Sequence, residues 1–404
     1  MKIKKKLLFL LTLFFYLGIN IARAESVDLE GGSNNKFTAI KKNNYYFPYI
    51  DGFLLGEYKI GFMDRKNVNL YGEKDKTIGY FDIRTSFDIN FNDNFSLSNS
   101  YRIKPLMKRD YKGDYKSNDF YAREGYLEKD MYFDKYDIIT EELYFNFFAP
   151  DLKFGIGKFN PAFGLAYSYD KYNGIIGSNY FASEYFVKET IGMFVKINLP
   201  SFILNFSTFY RDTSFLSDSI FGRRDKLRSG SLVGSDEKLN NFALSGEFVL
   251  EDLKLNLAFR RMSAGNRDQR AEKSFLIGLE KVYEYASGTI FTPFIEYDYT
   301  KNYEGSHRDV HYITVNAPIL YENWNFLVGA SSKYDRDSYV DKNKFSYLTQ
   351  VNVGYKFNHG IMFDVSRVMG KEYKNTTLNN KKTVEDLDSW NIRLSYILDF
   401  QEDK

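Results

Sequence analysis

The sequence predicts a closed, transmembrane antiparallel β-barrel of about sixteen strands. Three observations carry this reading. Segments in which every second residue is apolar recur along the whole chain, short turn sequences alternate with longer polar links between them, and an export-type leader stands at the N-terminus. Period two puts successive side chains on opposite faces of a strand, so one face of each segment meets an apolar medium and the other meets water.

The leader comes first. Lys2, Lys4, Lys5 and Lys6 form a basic start, Leu7 to Leu17 an apolar stretch broken by Thr12, and Ala22-Arg23-Ala24 a small-x-small cleavage pattern. Residues 1–24 therefore read as a signal peptide, since the apolar run is short beside the roughly 20 residues of a membrane-crossing helix. Residues 25–51 read as an N-terminal periplasmic segment and 52–404 as the barrel. Removal of the leader's five positive charges takes the net charge from +2 to about −3, which favours neither nucleic acid nor an anionic surface as a partner. The chain has no cysteine, so disulfide and thiolate chemistry are excluded. Its aromatic share is 18%, with 38 Phe and 34 Tyr, which suits a lipid-facing band and the girdles at its two edges.

The clearest strands are Phe81–Phe91, Phe202–Tyr210, Phe242–Leu250, Leu253–Phe259, Phe345–Phe357 and Trp390–Phe400. Weaker alternation lies near 53–62, 95–104, 138–148, 152–159, 189–198, 274–284, 289–299, 310–320, 324–334 and 361–369. Asn92-Asp93-Asn94, Ala149-Pro150-Asp151, Leu199-Pro200-Ser201, Glu251-Asp252 and Asn358-His359-Gly360 are tight-turn sequences, with further short links near 285–288 and 321–323. Long polar links are expected near 63–77, 105–137, 160–188, 212–240, 262–272, 301–309, 335–343 and 371–388. Strict alternation of long and short links is what an even-numbered barrel with short periplasmic turns and long external loops requires. Closure follows from the medium, because an open sheet edge leaves unpaired backbone groups in lipid. A ring of sixteen strands is too wide for side chains to fill, so the inward faces are expected to line water.

The last strand, with Tyr396, Leu398 and Phe400 at its end, resembles the C-terminal insertion signal of Gram-negative outer-membrane porins. It departs from them in that Gln401-Glu402-Asp403-Lys404 follow the Phe. Gly157-Lys158-Phe159-Asn160-Pro161-Ala162-Phe163-Gly164 is similar to a Gly-Lys-x-x-x-x-Phe-Gly segment that leads from strand into loop in several porin families, phosphate-selective-like ones among them. The architectural resemblance covers roughly residues 52–400. It implies that the third long loop folds inward as the constriction, with Tyr169, Asp170, Lys171 and Glu184 on it. Arg84, Arg102, Arg260 and Arg393 are expected on the pore wall, the first two facing the loop's acids across the channel. The implied function is passive diffusion of small hydrophilic solutes and ions by a general-diffusion porin, without cofactor or metal. The implied partners are the outer-membrane lipid bilayer, the barrel-insertion machinery and two further copies in a homotrimer.

Catalysis has little to stand on. Only His307, His311 and His359 are present, no Gly-x-Ser-x-Gly occurs, and Asp309 and His311 are the one pair able to share a strand face. The alternative left open is a surface adhesin or structural barrel with a closed lumen, for which the Tyr-rich, charged loop Lys108–Lys135 is suited.

Overall fold

The computed structural model describes residues 48–66, 75–105, 131–132, 136–166, 181–218, 220, 229–230, 232–265, 270–337, 342–375 and 382–400. The expected signal peptide and most of the segment 25–51 lie outside these, as do residues 401–404. Sixteen strands run in chain order: β1 (Tyr49–Lys66), β2 (Asp75–Asn92), β3 (Phe95–Pro105), β4 (Tyr136–Ala149), β5 (Leu152–Phe159), β6 (Thr190–Leu199), β7 (Phe202–Arg211), β8 (Asn241–Leu250), β9 (Leu253–Met262), β10 (Glu272–Lys281, resumed at Tyr283–Glu284), β11 (Ile290–Phe291, resumed at Phe294–Lys301), β12 (Arg308–Tyr321), β13 (Trp324–Asp337), β14 (Lys342–Lys356), β15 (Ile361–Asn375) and β16 (Lys382–Phe400). Each pairs antiparallel with the next, and β16 pairs with β1 from Gly52↔Phe400 to Lys66↔Asp386, which closes the ring. A two-residue piece, Met131–Tyr132, lies parallel to Ile78–Gly79 of β2.

Period two holds around the barrel. On β10, Glu272, Ser274, Leu276 and Glu280 are buried inward, while Phe275, Ile277 and Leu279 stand exposed on the outside. On β16, Ser389, Asn391, Arg393 and Ser395 alternate with exposed Trp390, Leu394 and Tyr396. The outer face therefore carries the large apolar side chains and the inner face the polar ones, the inverse of a soluble domain. Aromatic pairs mark both edges of the outer band. At the turn end are Phe95 with Phe147 at 5.3 Å and Trp324 with Tyr355 at 4.9 Å. At the loop end His311 packs at a tilt between Tyr299 and Tyr334, with its Nδ1 2.8 Å from the Tyr297 hydroxyl. Asp309 and His311 do share a face, and it is this outer one.

Two features depart from the expected pattern. The described residues of the polar stretches near 63–77, 335–343 and 371–388 are strand: pairing continues to Asp64↔Asp75, Asp337↔Lys342 and Asn375↔Lys382. These strand ends lose the apolar alternation while keeping the ladder, with charged partners such as Asp309↔Arg336, Asp335↔Lys344 and Lys371↔Asp386 opposite each other. The second departure is a β-bulge between β3 and β4, where Ser100 faces Glu142 and Tyr101 faces Thr140. The extra residue, Glu141, shifts the phase, so Glu141 and Glu142 both point into the lumen.

Candidate functional site

The third long loop enters the lumen through the Gly157–Gly164 segment, and each residue there has a reason. Gly157 has φ +141°, and a Cβ on it would run into the Leu143 carbonyl and the Tyr144 backbone of β4, so the close approach of β5 to β4 just before the strand ends requires a glycine. Asn160 ties the loop's two ends together. Its backbone and side-chain N–H groups donate to Glu142 at 3.2 and 3.0 Å, and its Oδ1 accepts from the Glu189 amide at 2.9 Å. Gly164, at φ +84°, lies against Glu296 of β11, where a Cβ would sit 2.9 Å from the carboxylate.

Glu296 is the inner anchor. Its Oε2 accepts from the amides of Leu165 and Ala166 (3.1 Å for the latter), and its Oε1 from the Tyr185 hydroxyl at 2.5 Å. The returning limb forms one helical turn, Ala182–Tyr185, and presents Glu184 to the same wall. Glu184 Oε2 accepts from Lys333 Nζ at 2.6 Å, Tyr312 at 2.8 Å and Tyr303 at 3.2 Å. Arg260 donates to the Tyr185 carbonyl, pairs with Glu272 at 2.6 Å and lies 5.0 Å from the Phe163 ring centroid. Between these polar anchors Phe163, Phe181 and Ala182 pack on Leu276, Phe294 and Tyr312. Apolar burial supplies the adhesion, at about 25 cal/mol per Å² removed from water, and the hydrogen-bonded carboxylates of Glu184 and Glu296 fix the register. The described part of the loop is thus clamped inside the barrel against β9–β13.

The opposite wall carries a continuous ion-pair belt across β15, β16, β1, β2, β3 and β4. Asp364 pairs with Arg393 at 2.8 Å and Arg393 with Glu57 at 3.0 Å. Lys59 joins Glu57 at 2.7 Å to Asp82 at 3.2 Å. Arg102 holds Asp82 through two nitrogens at 2.7 and 2.5 Å and reaches Glu141 at 3.4 Å, and Arg84 meets Glu141 at 3.3 Å. The belt alternates in sign and balances. At the Arg393 end it is sealed, with that side chain 2% exposed. At the other end Arg84, Arg102 and Glu141 remain 24%, 18% and 25% exposed and face lumen water.

The four arginines expected on the wall all point inward, but only Arg84 and Arg102 are accessible. Arg260 lies beneath the loop and Arg393 inside the belt. Glu184 faces the lumen wall and is neutralised there by Lys333, so it does not stand as a bare charge opposite Arg84 and Arg102. Tyr169, Asp170 and Lys171 lie outside the described residues. Tyr396 projects from the outer face, Leu398 shares its parity, and Phe400 pairs through its backbone with Gly52. Glu141 and Glu272 are lumen groups that residue-by-residue reading did not find. The bulge hides the first, and the second lies in a stretch that reads as loop.

Comparison with known proteins matches this geometry. No family model matches the sequence, and no curated protein does. Among solved structures, the loop L8 deletion mutant of OmpT, an outer membrane protein of Vibrio cholerae, superposes with a TM-score of 0.50 at 10% identity, over 87% of this chain and 99% of that one. OccK9 (OpdG) of Pseudomonas aeruginosa does so with a TM-score of 0.50 at 8% identity, over 87% and 98%. This is the fold of the outer-membrane porins. At such identities the likeness is of fold alone: the barrel architecture is shared over 87% of this chain, and the residues lining its lumen are this chain's own.

Proposed function

We propose that the protein is an outer-membrane porin of a Gram-negative bacterium, exported by a cleaved signal peptide, through which small hydrophilic solutes and ions diffuse passively. The observation that carries this reading is the asymmetry of the lumen. The described limbs of the third loop are clamped to the β9–β13 wall, and the Arg84–Arg102–Glu141 cluster on the other side keeps solvent exposure. A polar passage narrowed from one side suits charged or dipolar solutes, and selectivity in such a passage rests on the few charges that line it. The constriction is assigned to the third loop, and the pore wall to Arg84, Arg102 and Glu141. Tyr396, Leu398 and Phe400 are assigned to recognition by the insertion machinery, and a homotrimer is the assembly that the porin likeness suggests.

The test is single-channel recording of refolded protein in a planar bilayer under a salt gradient. Steady conductance steps are expected, with a small reversal potential because Arg84 and Arg102 face Glu141. A second reading, a structural barrel or adhesin with a closed lumen, is favoured by the near-complete burial of inward polar groups on the β11–β16 wall, such as Thr314, Asn316, Gln350 and Asn352. Folded barrels that stay silent in the bilayer would select it.

A further inference from the structure

Lys158 breaks the pattern of the outer wall. On β5 the outward positions are Leu152, Phe154, Ile156 and Lys158, and the first three are apolar. Lys158 is nevertheless 1% exposed, because the chain leaving β7 folds back over it on the outside of the barrel. Its ammonium meets Asp212 at 2.9 Å and donates to the Leu216 carbonyl at 2.7 Å.

This flap is sorted by polarity. Most of its polar groups are used inward or among themselves, and Thr213 Oγ1 donates to Glu237 at 2.9 Å. Asp212 accepts from the amide and hydroxyl of Ser214 at 2.8 and 2.6 Å, Ser214 Oγ accepts from the Leu216 amide at 3.2 Å, and Ser217 Oγ donates to the Ser214 carbonyl at 2.9 Å. Its apolar groups point away: Phe215 is 79% exposed and Ile220 58%. The Ile220 amide also donates to the Ile138 carbonyl of β4 at 2.9 Å, above the point where β5 stops pairing with β4 at Leu143↔Lys158. The flap thus covers a notch in the wall left where β5 ends and the third loop turns inward.

The height of that notch decides what lies against it. Lys158 is six residues along β5 from Leu152, which stands exposed at the turn edge of the outer band. At about 3.3 Å per residue and a tilt of about 40°, it rises only ~15 Å above that edge, inside an apolar band roughly 25 Å tall. A bare lysine there would face hydrocarbon, and unsatisfied backbone would too. We propose that Asp212–Asp218 and Ile220 form a membrane-embedded patch of the outer wall, with Phe215 and Ile220 inserted into the lipid of the outer leaflet. This goes beyond the transport reading and does not depend on conduction.

The cysteine-free chain permits a direct test. Phe215→Cys carries a nitroxide in the full-length protein reconstituted in phospholipid vesicles, beside control labels at Val328→Cys on the outer wall and Asp252→Cys in a turn. Retained folding is read from heat-modifiable gel migration, and Ile220→Cys serves as the second probe should Phe215→Cys misfold. The expected result is collision with oxygen several-fold in excess of collision with an aqueous nickel chelate, as for the Val328 label. A label as open to nickel as the Asp252 control would overturn the proposal. So would one shielded from both reagents with dipolar broadening, which would place a second copy of the chain on this face.

Discussion

Arg393 in the last strand and Glu57 in the first are 336 residues apart in sequence, and their side chains meet at 3.0 Å inside the barrel. The pair bridges the seam between β16 and β1, the one ladder that no hairpin connects, and Asp364 on β15 holds the other side of the same guanidinium at 2.8 Å. Closure of a barrel must bring the two ends of the chain together late and in register, and a one-residue slip would turn Arg393 outward. A buried cation shared between two carboxylates is one device that specifies the register, since the slipped pairing would separate Arg393 from both carboxylates and leave Glu57 with Lys59 alone.

Arg393→Met is accordingly expected to destabilise the folded barrel by about 3–5 kcal/mol, because two buried carboxylates lose their common cation. Adding Asp364→Asn in the same chain removes one of the stranded charges and should recover part of the loss. The measurement is the urea midpoint of heat-modifiable migration for the single and double variants. An unchanged midpoint for Arg393→Met would mean that the seam is held by the ladder alone.

Glu296→Ala removes the acceptor for two loop amides and the Tyr185 hydroxyl, hydrogen bonds to a charged group worth about 1.5–3 kcal/mol each. The barrel should still fold, since the ladders are untouched, while the third loop loosens from β11. Larger and noisier single-channel conductance than wild type is the expected outcome, with Glu296→Gln intermediate because its amide oxygen still accepts. Conductance identical to wild type in both variants would remove Glu296 as the loop's anchor.

Charge selectivity should follow the exposed end of the belt. Neutralising Glu141 with Gln should shift the reversal potential towards anions, and Arg84→Gln should shift it towards cations. Both shifts should be larger at ~0.1 M salt, where the screening length is about 10 Å, than at ~1 M, where it is about 3 Å. Arg260→Gln, beneath the loop, should move selectivity little by comparison. If Arg260 proves as influential as Arg84, the passage runs along the wall that the loop covers.

The barrel itself was legible because two media impose one period. Lipid outside and water inside force alternation in segments such as Trp390–Phe400, and tight turns such as Leu199-Pro200-Ser201 separate them. Where the apolar alternation stops, legibility stops too: Asp335 to Asp337 and Lys371 to Asn375 are polar at nearly every position, so their strands read as loop. Glu141 was hidden for a different reason, since a bulge changes phase without any residue type that marks it. Arg260 reads as a wall charge by parity and is one geometrically, yet its burial depends on a loop fixed by Glu296, 131 residues from Leu165. Period alone cannot reveal a contact of that range. Lys158 is the opposite case, a visible anomaly on an apolar face whose cover lies more than fifty residues downstream.

That anomaly yields a prediction with a definite order of effects. Asp212→Asn leaves the Lys158 ammonium on the outer wall with only the Leu216 carbonyl and the new amide for partners, and a lysine charge facing the hydrocarbon midplane costs about 2–4 kcal/mol. Lys158→Met instead leaves Asp212, whose Oδ1 still accepts from the Ser214 amide and hydroxyl, so the loss should be smaller. The double variant Lys158→Met/Asp212→Asn should be more stable than Asp212→Asn alone, since no charge then remains beneath the flap. Urea midpoints of the three proteins in vesicles form a double-mutant cycle that isolates the pair's coupling. Coupling near zero would place the flap in water, where an ion pair between solvated groups contributes little. Coupling well above 1 kcal/mol is what a site at lipid depth demands, because there each charge is tolerable only in the presence of the other.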